Sequence, residues 1–266
     1  MHSLDDLIRL MNALRDPESG CPWDLQQTFA SIVPHTLEEA YEVADCIERE
    51  DWQHLKDELG DLLFQVVFYA RLADEQGWFD LPQIIDQLVS KLVRRHPHVF
   101  PNGQLDGSDS QTVAVETVNA NWEAIKQQER DAKAQQGVLA DVPVSLPGLS
   151  RAAKLQKRAA RVGFDWPDVS GVLDKIEEEI GELREALEQG DEAHAREELG
   201  DLLFAQVNLA RHLKADPEQA LRNTNAKFER RFNYVEQQVR AGDQDWEQLS
   251  LDTLDHWWDE AKAKGL

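Results

Sequence analysis

The sequence predicts an all-α protein made of two tandem helical bundles. Three observations carry this reading. Apolar residues recur at helical spacing, and no long alternating strand pattern occurs. The segment Glu58-Leu59-Gly60-Asp61-Leu62-Leu63-Phe64 returns as Glu198-Leu199-Gly200-Asp201-Leu202-Leu203-Phe204, an offset of 140 residues. Between the copies lies a stretch rich in Pro, Gly and small residues, from Ala134-Gln135-Gln136-Gly137 through Val142-Pro143-Val144-Ser145-Leu146-Pro147-Gly148, which suits a linker. In a chain of 266 residues such a period favours two domains, each long enough for its own core. The expected boundaries are 1–130, a linker over 131–148, and 149–266.

Taken in order, Pro17 to Asp24 reads as an irregular loop by composition. Residues 34–48 form one amphipathic helix. Residues 52–74 form a second, and its apolar run Leu62-Leu63-Phe64-Gln65-Val66-Val67-Phe68 points to a buried end. Helices over 81–95 and 111–130 follow, separated by the loop His96-Pro97-His98-Val99-Phe100-Pro101-Asn102-Gly103. In the second half, Gly190 suits the end of one helix and Asp191 the cap of the next. So short a connection makes antiparallel neighbours. Helices over 216–240 and 250–264 complete the repeat. Lys91-Leu92-Val93-Arg94-Arg95 matches Lys227-Phe228-Glu229-Arg230-Arg231, and Trp122-Glu123-Ala124-Ile125-Lys126 matches Trp258-Asp259-Glu260-Ala261-Lys262.

The formal net charge is -23 and the pI near 4.6. Both argue against duplex nucleic acid or an anionic membrane as partner, since polyanions attract basic surfaces. No run of 18 apolar residues occurs and the N-terminus lacks a signal pattern, so a soluble cytoplasmic protein is expected. Cys21 and Cys46 read as reduced thiols rather than a disulfide scaffold or zinc site.

The acidic residues carry the chemistry. Upstream of the repeated segment stand Leu37-Glu38-Glu39-Ala40-Tyr41-Glu42 and, at the same offset, Glu177-Glu178-Glu179-Ile180-Gly181-Glu182. Glu39 and Glu42 are three apart, as are Glu58 and Asp61, so each pair shares a helix face. Position 50 is the midpoint of 42 to 58 and of 39 to 61; position 190 is the midpoint of 182 to 198 and of 179 to 201. Residues equidistant from a hairpin turn lie at similar heights, and helix axes are roughly 8 to 10 Å apart. Four carboxylates per copy can therefore converge. Without a cation they would repel strongly, and oxygen-only ligation points to Mg²⁺, with Mn²⁺ or Ca²⁺ as alternatives. A solvated helix face is the simpler reading of one acidic cluster; mirror spacing in two copies argues against it.

Glu-Glu-x-x-Glu followed by Glu-x-x-Asp resembles the MazG family of nucleoside triphosphate pyrophosphohydrolases. The resemblance covers nearly the whole chain, because Cys21-Pro22-Trp23-Asp24, Arg94-Arg95-His96-Pro97-His98-Val99-Phe100 and Gly163-Phe164-Asp165-Trp166-Pro167 look like those of two-domain members. It implies α-helical bundles that dimerise through helices, and a broad reaction of NTP or dNTP with water to give the monophosphate and diphosphate. That activity suits control of nucleotide pools or removal of aberrant nucleotides. By the same resemblance Glu179, Glu182, Glu198 and Asp201 are Mg²⁺ ligands, as are Glu39, Glu42, Glu58 and Asp61, with Mn²⁺ as a substitute. Glu178 and Glu38 act on the attacking water. Lys175, Glu178, Glu197, Lys227, Arg230, Arg231 and Trp258 bind substrate, as do Lys91, Arg95 and Trp122. The partners implied are nucleoside triphosphates and a second copy of the chain.

The first copy has Leu37, Tyr41 and Asp57 where the second has Glu177, Gly181 and Glu197. The second is more acidic, and Gly181 opens space beside Glu182, which favours it as the main catalyst. A di-iron carboxylate protein is disfavoured because neither hairpin has a Glu-x-x-His pair. His35, His96 and His98 read as capping or packing residues. A non-catalytic nucleotide-binding or regulatory dimer is the other alternative.

Overall fold

The computed structural model describes residues 2–105, 113–132, 137–242 and 245–266. Among them the regular structure is helical, with no strand. The chain divides into two compact units, Met1–Arg130 and Asp131–Leu266.

Unit 1 opens with α1 (Leu4–Leu14), started by a capping box between Ser3 and Asp6. A short helix, α2 (Pro22–Gln26), precedes α3 (Phe29–Glu48) and α4 (Leu55–Glu75). Then come α5 (Leu81–Arg95), capped by Asp80, and α6 (Val115–Ala132). The α3–α4 hairpin is the main packing, and α1 lies on α4. Met11, Ile32, Val67, Phe68, Ala70, Leu72 and Leu81 form the core. Buried Arg15 pairs with Glu75 (Nε to Oε1 2.8 Å, NH2 to Oε2 2.6 Å), donates to the Asp24 carbonyl and sits 5.3 Å from the Phe68 ring centre. One side chain thus ties α1, α2 and α4 together.

Unit 2 contains α7 (Gly148–Arg161), α8 (Val169–Gln189), α9 (Glu192–His212), α10 (Pro217–Ala241), a 3-10 turn (Trp246–Gln248) and α11 (Leu251–Ala263). The α8–α9 hairpin is its centre; α7 packs on α9, and α10 meets α7, α9 and α11. At the turn, Gly190 N–H donates to the Leu187 carbonyl and Asp191 N–H to the Ala186 carbonyl. The first hairpin repeats this pattern, with Glu50 N–H on Ile47 and Asp51 N–H on Cys46. Asp191 then caps α9 by accepting from His194 N–H.

Four expectations change. Pro22-Trp23-Asp24 is helical, with Pro at the favourable first position, rather than loop. Helix α3 starts at Phe29, not 34, because the Thr28–Ser31 capping box starts it early and Pro34 is accommodated inside. The run 62–68 is not wholly buried: Val67 and Phe68 are in the core, while Leu63 and Val66 are 45% and 40% exposed. Helix α4 packs on α3, α1 and α5, and these apolar residues lie on the part of its surface that those helices leave uncovered. The amphipathic helices α1 and α7 add to each bundle beyond the segments anticipated. Of the proposed 111–130 helix, 111 and 112 lie outside the described residues, as do 133–136 of the proposed linker. No helix among the described residues is long and apolar enough to cross a membrane.

Candidate active site

Each hairpin brings three carboxylates together. In unit 1 Glu39 from α3 meets Glu58 and Asp61 from α4; in unit 2 Glu179 and Glu182 from α8 meet Glu198 from α9. Within each triad the nearest ligand oxygens all lie within 4.8 Å of one another. The antiparallel pairing produces this, because it sets residues equidistant from the turn side by side.

The triads are related but not identical. In unit 1 the fourth residue, Glu42, stands outside the triad but close enough to Glu58 to push its carboxyl up. In unit 2 Glu182 is in the triad, and Asp201 stands outside it on an exposed part of α9. Desolvation, then repulsion from Asp61, Glu42, Glu58 and Glu38, pushes the Glu39 carboxyl above its ordinary range. Glu58 is raised by burial and by Glu42 and Asp61. Glu198 is raised by burial first and then by Glu182, against the opposing charge of His194. Such crowding favours neutralisation, by a proton or by a cation.

Unit 2 already supplies some positive charge. Lys175 Nζ lies 2.8 Å from Glu178 Oε1 and 2.7 Å from Glu179 Oε1, and its pKa is raised by the hydrogen bonds to Glu178 and then Glu179. His194 Nε2 is 2.8 Å from Glu198 Oε1. His194 was missed in the sequence, although its spacing of four from Glu198 on one helix was the available signal. The equivalent residues of unit 1 do otherwise: His35 approaches Glu38 at 3.6 Å, and His54 pairs with Asp51 at 2.7 Å. There the amide of buried Gln65 donates to Glu39 at 3.4 Å.

The remaining candidates are more dispersed. Glu38, Glu178 and Glu197 are exposed, and Glu178 is held by Lys175. Lys227 and Arg230 are exposed on α10. Arg231 donates from Nε to the Leu266 carbonyl at 2.8 Å, and its guanidinium lies 5.8 Å from the Trp258 ring, which also packs on Phe228. In unit 1 Arg95 is engaged by Glu129, together with Arg94, and these two guanidiniums hold the Glu129 carboxyl down to about 2. Lys91 and Trp122 are half-buried, with Trp122 6.2 Å from the His96 ring. The space attributed to Gly181 does not separate the units. A Cβ there would meet nothing within 4 Å, and its counterpart Tyr41 projects 53% exposed.

The family model for the MazG nucleotide pyrophosphohydrolase domain matches residues 27–100 and again 169–236. The chain belongs to the MazG family. It is 51% identical to the nucleoside triphosphate pyrophosphohydrolase of Escherichia coli (strain K12), over 100% of this chain and 99% of that one. It is 42% identical to the nucleoside triphosphate pyrophosphohydrolase/pyrophosphatase MazG of Thermotoga maritima, over 97% of this chain and 95% of the relative. The two matched stretches of this MazG chain enclose both carboxylate triads, together with Lys91, Arg95, Lys227 and Arg231. Trp122 and Trp258 lie beyond them.

Proposed function

We propose that this MazG chain is a Mg²⁺-dependent nucleoside triphosphate pyrophosphohydrolase, converting an NTP or dNTP and water to the monophosphate and diphosphate. One observation carries the reading: a carboxylate triad, built twice on matching hairpins and largely buried in unit 2, within the family-matched segments of a chain half identical to an enzyme of that name.

The donor set fits a hard divalent cation. All the ligand atoms are carboxylate oxygens, and burial with mutual repulsion raises Glu39, Glu58 and Glu198 where positive charge is short. Glu39, Glu58 and Asp61, with Glu42, would hold Mg²⁺ in unit 1; Glu179, Glu182 and Glu198, with Asp201 at the edge, would do so in unit 2. When bound, Mg²⁺ (or Mn²⁺) neutralises charge on the phosphate oxygens and lowers the pKa of a bound water. Glu178 or Glu38 orients water and accepts its proton. Water oxygen bonds to phosphorus as the α–β anhydride bond breaks, and diphosphate leaves. Lys175 exchanges its carboxylate partners for phosphate oxygens, Lys227 and Arg230 bind the phosphate chain, and Arg231 holds Trp258 against the sugar or base. Unit 2, with its own Lys175 and His194, is the main catalyst, and unit 1 takes the same roles through Lys91, Arg95 and Trp122.

The assembly proposed is a cytoplasmic homodimer. Leu59 and Leu63 on α4, and Leu199 and Leu203 on α9, are about half exposed in one stripe per helix, and a second copy would cover them. The test is incubation with each common NTP and dNTP plus Mg²⁺. Monophosphate and diphosphate are expected; nucleoside diphosphate with phosphate would refute the cleavage position. Sedimentation reads the dimer.

A further inference from the structure

Lys175 stands on α8 one turn before Glu178 and Glu179, and its ammonium is shared between them at 2.8 Å and 2.7 Å. The two partners differ. Glu178 is exposed, whereas Glu179 is buried, 4% exposed, and belongs to the triad with Glu182 and Glu198. One positive charge of the protein's own therefore already sits on a triad carboxylate. A divalent cation held by either oxygen of Glu179 lies next to that ammonium, and like charges at such range repel. At the equivalent position of unit 1 the chain has His35, which approaches Glu38 at 3.6 Å, outside the triad. There the triad carboxylate Glu39 is met by the neutral amide of Gln65, at 3.4 Å. The ammonium on the triad is a feature of unit 2.

We infer that Lys175 reserves the unit 2 triad for a cation that arrives together with a phosphate chain. While the ammonium rests on Glu179, a free divalent cation must compete with it for the same carboxylate. A triphosphate alters the balance, because its oxygens offer the ammonium another acceptor and leave Glu179 to the metal. The Lys175 side chain is 32% exposed and flexible, so it can make this exchange without a change in the helix. Metal and phosphate then favour each other's binding through one side chain, a coupling that is reciprocal and commonly about fivefold or more. The inference rests on the proposed hydrolase activity and adds an order of events to it: in unit 2 the cation enters with the nucleotide rather than ahead of it.

Mn²⁺ titration of the nucleotide-free protein, read by the electron paramagnetic resonance of the free ion, tests this at a fixed neutral pH. A Glu39→Gln background confines binding to unit 2, and within it Lys175 is compared with Lys175→Met and Lys175→Gln; circular-dichroism melts identify which variants fold, and either one suffices. Both neutral variants should bind Mn²⁺ about fivefold or more tightly than the parent. KM for ATP with Mg²⁺ should move the other way, rising about tenfold as the phosphate contact is lost. Opposite signs distinguish a competing charge from a merely structural lysine, whose loss would weaken both. Lys175→Arg keeps the charge and should bind Mn²⁺ within about twofold of the parent. In a Glu198→Gln background, where unit 1 holds the metal, the Lys175 changes should have no effect. Unchanged or weaker Mn²⁺ binding in the neutral variants, equal tightening by Lys175→Arg, or tightening in the Glu198→Gln background would each overturn the inference while leaving the hydrolase reading standing. If the wild-type protein binds no Mn²⁺, the metal reading itself fails and the inference falls with it.

Discussion

Glu50 and Gly190 hold the same left-handed backbone conformation at the same place in the two hairpins, with φ of 56° and 71°. Glycine adopts this conformation freely, whereas a residue with a Cβ is strained by about 1 to 2 kcal/mol. A Cβ at 190 would meet nothing within 4 Å, so the difference is conformational rather than steric. Glu50→Gly should stabilise unit 1 by about 1 kcal/mol, and Gly190→Glu should weaken unit 2 by a similar amount. Urea denaturation followed by circular dichroism reads both; unchanged midpoints would contradict the account.

The carboxylate triads predict a response to metal. Adding MgCl₂ to about 100 times its dissociation constant should stabilise the protein by about 2.7 kcal/mol, seen as a higher melting temperature. Glu179→Gln should diminish that response and lower NTP turnover by about 100-fold or more. Glu39→Gln should leave most turnover intact, because unit 2 is assigned the main activity. Loss of hydrolysis from the Glu39 change alone would reverse the assignment.

Arg15 is buried, and Glu75 is its charged partner. Replacing Glu75 with Gln leaves the guanidinium with backbone carbonyls and no countercharge. Unit 1 should lose about 2 kcal/mol, below the usual figure for a fully buried pair because Glu75 is partly exposed. Denaturant titration checks the magnitude; a loss below about 0.5 kcal/mol would show that the carbonyl contacts alone hold Arg15.

Glu129 gives a pH prediction with a definite sign. Its carboxyl is held down to about 2, below its ordinary 4.5, so the folded state binds this proton less readily than the unfolded chain. The α5–α6 ion pairs therefore contribute fully above the ordinary carboxyl range. Their contribution falls as pH drops from about 4.5 toward 2. Melting curves of wild type and Glu129→Gln should converge across that window and differ most at neutral pH. A constant difference throughout would remove Glu129 from the explanation.

The hairpins were legible because two rules act at long range along a helix: periodicity selects faces, and the turn selects heights. Glu39 with Glu58 and Asp61, and Glu179 with Glu182 and Glu198, follow from those rules. Side-chain direction does not, so the position of Asp201 outside its triad and the arrival of Lys175 and His194 at the carboxylates required coordinates. The amphipathic pattern marks the helix only from residue 34, but the capping hydroxyls of Thr28 and Ser31 begin it at Phe29. Leu63 and Val66 looked like core because hydrophobicity reports a need for cover without saying which surface supplies it.

Each acidic triad is completed by two neighbouring helices and a tight turn, so its ligands lie about twenty residues apart in the chain. Either set can assemble from a single continuous segment. A substitution that spoils one leaves the other's ligands intact, which gives the repeated chain room to diverge: one half can keep hydrolysing while its twin acquires a different affinity, a different preference, or only the task of holding shape.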